Sequence, residues 1–243
     1  MEVAERPTFE SEVSKRIYEY VERHGTANRH IVQQTVSAPA EEFERELDRL
    51  ESRGYLDDDG GTLRVALDVG AVEEYEGTDT SFTIRPAGQD DFEGLVAAIR
   101  AVTDEETYVV AESIAEQLLY EETVTRHNAV ESRVFFVATV DGTVVGWTHL
   151  DLPQVSRVRE TAKQTVGVVP EHRRSGIGGK LLQRGLDWAE ANGFRKVYNS
   201  VPVTNAAALE FLGDHGWETE AIRRDHYTID GEYVDEAMMA YTF

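Results

Sequence analysis

VVPEHRRSGIGGKLL, residues 168–182, sets a strand ending, a glycine-rich bend and a helix start side by side. Pro170 cannot donate to a sheet ladder, so it closes the strand that runs from about Thr161 to Val169. A helix follows from about Gly176 to Asn192, closed by Gly193. The charge of this region runs against the rest of the chain, which carries 46 Asp plus Glu against 24 Lys plus Arg, a net charge of -22. From Arg157 to Arg184 there are seven basic side chains (Arg157, Arg159, Lys163, Arg173, Arg174, Lys180, Arg184) and two acidic ones (Glu160, Glu171). Backbone N–H groups at a helix start are unpaired, and the helix dipole adds partial positive charge there. Glycines let a ligand approach those amides without a Cβ in the way. Arg173, Arg174, Ser175, Gly176, Ile177, Gly178, Gly179 and Lys180 therefore read as an anion cradle suited to a phosphate or diphosphate. The plainer alternative is a glycine-rich turn with solvated arginines. It loses ground because the chain has only four lysines in all and sets Lys180 beside three glycines.

Working outward, 243 residues can bury one large core or two modest ones. No apolar run approaches the ~20 residues that span a bilayer, and MEVAERPTFESEVSK lacks the apolar stretch of a signal peptide. With no cysteine, disulfides, thiolate metal sites and a cysteine nucleophile are excluded, and no metal cofactor is expected. The expectation is a cytoplasmic protein. Its acidity is spread along the chain and its basic residues are mostly arginine, as in halophilic proteins, whose carboxylates keep the surface hydrated while salt screens their repulsion.

Residues 1–70 read as a small helical unit. Val13, Ile17, Tyr20 and Val21 recur at helical spacing before Gly25, ANRHIVQQTV suggests a second helix, and Phe43, Leu47 and Leu50 share one face of a third. YLDDDGGTLRVAL then gives two short strands around a glycine turn. That order resembles a winged helix-turn-helix. The third helix argues against DNA, because Ala38 to Arg53 holds six acids and three arginines, and duplex affinity rests on neutralising phosphates. An interaction module, a dimerisation module that would make the chain a homodimer, or a structural lid fits that composition better. Residues 71–80, AVEEYEGTDT, have few core-type residues and read as a linker. From 81 to 243 the order is strand, two helices, three strands, helix, strand, helix, two strands. The clearest hairpins turn at Asp141-Gly142 and Asp230-Gly231. This is an α/β (α+β) domain with a mixed sheet of about seven strands and flanking helices.

The nucleotide motifs fail in detail: a P-loop requires GxxxxGK[ST], and the dinucleotide fingerprint GxGxxG meets Leu181 where its third glycine belongs. Arg173, Gly176 and Gly178 instead fill [Arg/Gln]-x-x-Gly-x-[Gly/Ala]. Pro170 precedes that loop, and NAAALEFLGDHGW follows from Asn205. In these motifs, and in its strand order, the segment 81–243 resembles the GNAT superfamily of N-acyltransferases. The last hairpin looks like that of the branch including phosphinothricin- and ribosomal-protein-type acetyltransferases.

The resemblance implies an enzyme that uses acetyl-CoA to acetylate an amine acceptor directly, without an acyl-enzyme. It implies that the diphosphate sits on the amides of Arg174 to Gly179 and that the pantetheine arm pairs with Val166, Gly167 and Val168. It further implies that Asn205 bonds the arm and that an N–H near Val168 polarises the thioester carbonyl. One departure stands out. Many members carry a tyrosine as general acid seven residues after the asparagine, where this chain has Leu212. A thiol of pKa about 8.5 still leaves readily. For the base, Glu160 shares strand parity with Ala162, Gln164, Val166 and Val168 and is the catalytic candidate, acting through water; His215, Tyr198 and Tyr227 are others. Asp104, Glu105 and Glu106, in the Thr103–Tyr108 loop expected beside the acceptor, would suit a cationic amine. The alternatives are a non-catalytic acyl-CoA sensor, or a transcription regulator whose output is the amino-terminal unit.

Overall fold

The computed structural model describes residues 7–67, 69–77, 80–103, 109–155 and 157–243. The acidic loop residues Asp104, Glu105 and Glu106 lie outside this set. The amino-terminal unit packs three helices, α1 (Glu12–His24), α2 (Arg29–Val36) and α3 (Ala40–Ser52), around Ile17, Val21, Val32, Phe43, Leu47 and Leu50. Ser11 caps α1 by accepting from the Ser14 N–H at 3.0 Å. Glu46, 2% exposed, ties α3 to α1 by accepting from Ser14 (2.5 Å), Ser11 (2.8 Å) and Arg49 (2.8 Å). The Ser14 hydroxyl leads the causes that hold its pKa down, at about 2. Against the helices lies a three-stranded antiparallel sheet in the order β1 (Thr26–Asn28), β3 (Thr62–Val65), β2 (Leu56–Asp59). Residues 26–28 pair with β3 before α2 begins, so the expected second helix is shorter and preceded by a strand.

The rest of the chain is one large sheet with helices on both faces. Its strands are β4 (Glu73–Glu76), β5 (Ser81–Pro86), β6 (Arg126–His127), β7 (Glu131–Val140), β8 (Thr143–Pro153), β9 (Thr161–Val168), β10 (Lys196–Pro202), β11 (Glu218–Ile229) and β12 (Glu232–Thr242). The order is β11-β12-β10-β9-β8-β7-β5-β4, with β6 on the flank of β7. The sheet therefore has nine strands, where about seven were expected. The two extra are β6, only two residues long, and β4, which lies inside the stretch expected to be a linker. β9 and β10 run parallel through the crossover helix α6 (Ile177–Ala191), and the other pairs are antiparallel. Helices α4 (Phe92–Thr103) and α5 (Val109–Glu121) cover one face over Phe135, Val137 and Trp147. Helix α6, with Leu212 of α7 (Ala206–Asp214), covers the other over Phe136, Ala138, Val145 and Leu150. Among the described residues no helix is long and apolar enough to cross a membrane.

Several contacts fix the small unit to the large one, among them the Thr123 hydroxyl on the Arg23 carbonyl at 2.8 Å. Glu22 of α1, nearly buried, takes Arg126 at 3.0 Å and the Asn128 amide at 2.8 Å, and Arg126 also reaches Glu121 at the end of α5 (2.9 Å). Tyr18 donates to the His127 carbonyl at 2.7 Å. The segment after β3 crosses α6, where Arg184 holds it through Glu73 (2.5 Å) and the carbonyls of Val69 (2.8 Å) and Ala71 (3.2 Å). Arg184 thus belongs to the packing and not to the cradle.

Candidate active site

The site arises where two parallel strands part. β9 and β10 pair only at Thr161–Lys163 with Lys196–Tyr198, whereas β9 stays bonded to β8 up to Val168. Beyond Lys163 the β10-facing edge of β9 is open. The Val169 N–H donates to the Val145 carbonyl at 3.0 Å, so by strand alternation the main-chain groups of Val166 and Val168 turn toward the gap. The resulting cleft, about 780 Å³, is lined by Val166, Gly167 and Val168, by Asn199–Pro202 of β10, and by Ala208, Phe211 and Leu212 of α7.

The glycine loop closes one end of the same cleft. Arg174 turns at φ 63° and Gly176, the residue preceding α6, at φ 90°. The first α6 ladder bond runs from the Lys180 N–H to the Gly176 carbonyl at 3.2 Å, so the amides of Ile177, Gly178 and Gly179 precede it without an intrahelical acceptor. Arg173, Arg174, Gly176, Gly178, Gly179 and Lys180 line the cleft. Three details refine their expected roles. The Arg173 Nε donates to the Val168 carbonyl at 3.0 Å, clamping the loop to the end of β9. The Ser175 hydroxyl donates to the His172 carbonyl at 2.5 Å, and the Ile177 side chain is buried in the core, so neither side chain lines the cleft. Lys180 lies with its ammonium 5.0 Å from the centre of the Tyr75 ring, supplied by β4.

Asn205 lines the cleft and caps α7, its Oδ1 accepting from the Ala208 N–H at 3.0 Å. Under Gly167 lies the Trp147 indole; a Cβ at 167 would stand 2.8 Å from the ring, so only glycine lets β9 settle there. His149, stacked on Phe135, is lowered to a pKa of about 3, chiefly by burial, and remains a neutral imidazole.

The structure moves Glu160 away from this site. It precedes β9 at the end paired with β10, contacts Arg195 at 3.6 Å, and is 62% exposed. It lies eight positions before Val168, roughly 25 Å along an extended strand, so it does not face the cleft. Of the other candidates, His215 lies at the loop end, its Nδ1 donating to the Phe211 carbonyl at 2.7 Å and its ring against Gly179. Tyr198 and Tyr227 line a second cleft of about 600 Å³, which shares Val109, Val110, Asn199 and Ser200 with the first. The sequence reading missed Glu236 there. It is 2% exposed, and its Oε1 accepts from the Tyr227 hydroxyl at 3.1 Å.

The model of a family described as acetyltransferase (GNAT) matches residues 96–217. An uncharacterized N-acetyltransferase of Methanocaldococcus jannaschii is 34% identical over 91 residues, which cover 36% of this chain and 40% of that protein. The N-alpha-acetyltransferase RimI of Mycobacterium tuberculosis is 32% identical over 90 residues, covering 37% of this chain and 55% of that one. The chain thus spans about half the length of the curated relatives it matches. A solved structure from Salmonella typhimurium, with its cofactor acetyl-CoA, is similar in fold with a TM-score of 0.53 at 21% identity, covering 66% of this chain and 93% of that one.

Proposed function

Because the chain belongs to the GNAT family of acetyltransferases, we propose that it is an acetyl-CoA-dependent N-acetyltransferase that passes the acetyl group directly to a primary amine. The observation that carries this reading is the parting of β9 from β10 beside the start of α6, which gives one cleft both an open strand edge and unpaired helix amides. In this proposal the amides of Arg174 to Gly179, with the Arg174 and Lys180 charges, hold the coenzyme's diphosphate. The pantetheine arm extends along Val166, Gly167 and Val168, and Asn205 borders it from α7. Acetyl-CoA, when bound, supplies the thioester that the amine attacks. The Val168 N–H, fixed by the strand, stabilises charge developing on the carbonyl oxygen. Leu212, 2% exposed, serves packing, so the thiolate leaves without a tyrosine acid at that position and the proton that the amine loses passes to solvent.

The amino-terminal unit is proposed to be winged-helix-like and to work as a docking module. The three arginines at α3 point away from a role on DNA: Arg45 and Arg49 lie 3.4 and 2.8 Å from Glu46, and Arg53 lies 3.8 Å from Glu10. A cytoplasmic setting rich in salt belongs to the same reading. The sensor and regulator alternatives are not favoured. The test is thiol release from acetyl-CoA, in molar KCl, over a panel of primary amines. Turnover with at least one amine is expected; coenzyme binding without turnover would return the chain to the sensor reading.

A further inference from the structure

The second cleft points to what the acceptor carries. Its floor is the hairpin of β11 and β12, where Arg223 pairs with Glu236 and the register then slips before Tyr227 pairs with Val234. Asp225, at φ 51° and bonded from its N–H to the Asp235 carboxylate (2.8 Å), marks that bulge. The bulge brings His226 and Tyr227 to the same carboxylate as Arg223. Glu236 sits level with Pro202 of β10. Four residues before Pro202, Tyr198 pairs with Lys163; the same count along β9 reaches Gly167, so Glu236 stands at the level of the open edge of β9. The Glu236 Oε1 is taken by Tyr227, but Oε2 receives no hydrogen bond. The Arg223 Nη1 approaches it to 3.0 Å off the N–H axis, and the His226 Nε2 stands at 3.7 Å. Buried and held by an ion pair without an aligned hydrogen bond, this oxygen keeps a lone pair for a further donor.

The charges around it are layered. Glu236 is buried at the base, whereas the basic side chains on the same cleft lie outward: Lys163, 3.9 Å from Asp151, is 73% exposed, Arg223 50% and the His226 imidazole 39%. The other carboxylate lining it, Glu220, is occupied by Lys196 at 2.5 Å. A cleft with one deep acceptor and basic side chains farther out fits a molecule positive at one end and negative a few bonds away.

We propose that Glu236, positioned by Tyr227, anchors the acceptor's amino group, which binds as ammonium and gives one proton to solvent before it attacks, and that the acceptor is a primary amine bearing its own carboxylate or phosphate, held by Arg223 and Lys163. This deepens the acetyltransferase reading and rests on it. The experiment measures acetyl-CoA binding by calorimetry and, on the same protein, thiol release with zwitterionic amines of the amino-acid type, simple alkylamines and polyamines. The wild type should prefer zwitterionic amines by at least tenfold in kcat/KM. Glu236→Gln should raise the acceptor KM at least thirtyfold while the acetyl-CoA Kd stays within about twofold, and Tyr227→Phe, which keeps the ring, should raise it several-fold. Equal or better use of polyamines by the wild type, needing no variant, would overturn the proposal. So would a folded Glu236→Gln or Tyr227→Phe protein with unchanged acceptor KM. Absence of acetyl-CoA binding would overturn the enzyme reading as well, and is distinguished by the calorimetry alone.

Discussion

Gly176 takes φ 90° because the chain must swing from the Arg174 bend into α6 within two residues, and a side chain resists that conformation. Gly176→Val should cost about 1–2 kcal/mol in urea unfolding and weaken acetyl-CoA binding about tenfold by moving the amides of the loop; unchanged affinity would show that the amides do not matter. His149 gives a pH prediction. Its pKa in the fold is about 3, lowered first by burial and then by Arg133 and Lys163, against an ordinary value of 6.5. Between those values the unfolded chain binds the extra proton, so stability present above pH 6.5 is lost as pH falls. From pH 7 to pH 5 this amounts to about 2 kcal/mol. His149→Phe, keeping the stack on Phe135, should remove that much of the pH dependence of the urea midpoint. Glu160 shows what a residue-level reading lacks. Alternation told which face the strand residue takes, but said nothing of its level along the strand, and the cleft lies at the far end. Glu236 was invisible for the converse reason: only the hairpin register and its bulge bring three side chains to it.

At the scale of elements, legibility follows the physics of each signal. The two Asp-Gly turns were plain because type I′ geometry demands positive φ, and Asp141-Gly142 (49°, 79°) and Asp230-Gly231 (51°, 80°) adopt it. The strand–bend–helix unit from Thr161 to Ala191 was plain from apolar period and glycine content. β4 was not, because its residues Glu73 to Glu76 carry three acids and no aliphatic side chain. It forms because Tyr75 stacks on Phe82 (5.4 Å) and Arg184 draws Glu73 down onto α6. Arg184→Ala removes the ion pair, two carbonyl contacts and the packing of the guanidinium 4.9 Å from the centre of the Phe136 ring. It should cost about 2–3 kcal/mol and speed proteolytic cleavage between residues 66 and 77. Unchanged stability and cleavage would mean the crossing segment is held by other contacts. Because Lys180 rests on Tyr75, the same variant is expected to weaken acetyl-CoA binding a few-fold.

At the scale of the whole molecule, the net charge of -22 is repulsive at low ionic strength and screened within about 3 Å at 1 M salt. The melting temperature should therefore rise steadily from 0.1 to 2 M KCl, and a flat profile would contradict the salt-adapted reading of the composition. The small unit seats on the carboxyl end of α5 through Glu22, Arg126 and Glu121, while the amino end of α5, at Val109 and Val110, lines both clefts. One helix thus runs from the small unit to the two clefts. Main-chain donors gripping a diphosphate are the premise of the proposed activity, and the most direct measurement compares calorimetric titrations of acetyl-CoA and S-acetylpantetheine, which has the thioester arm without the diphosphate. Acetyl-CoA should bind at least a hundredfold tighter, and the advantage should shrink at least tenfold in Gly176→Val. Equal affinity for the two ligands, or no binding of either, would contradict it.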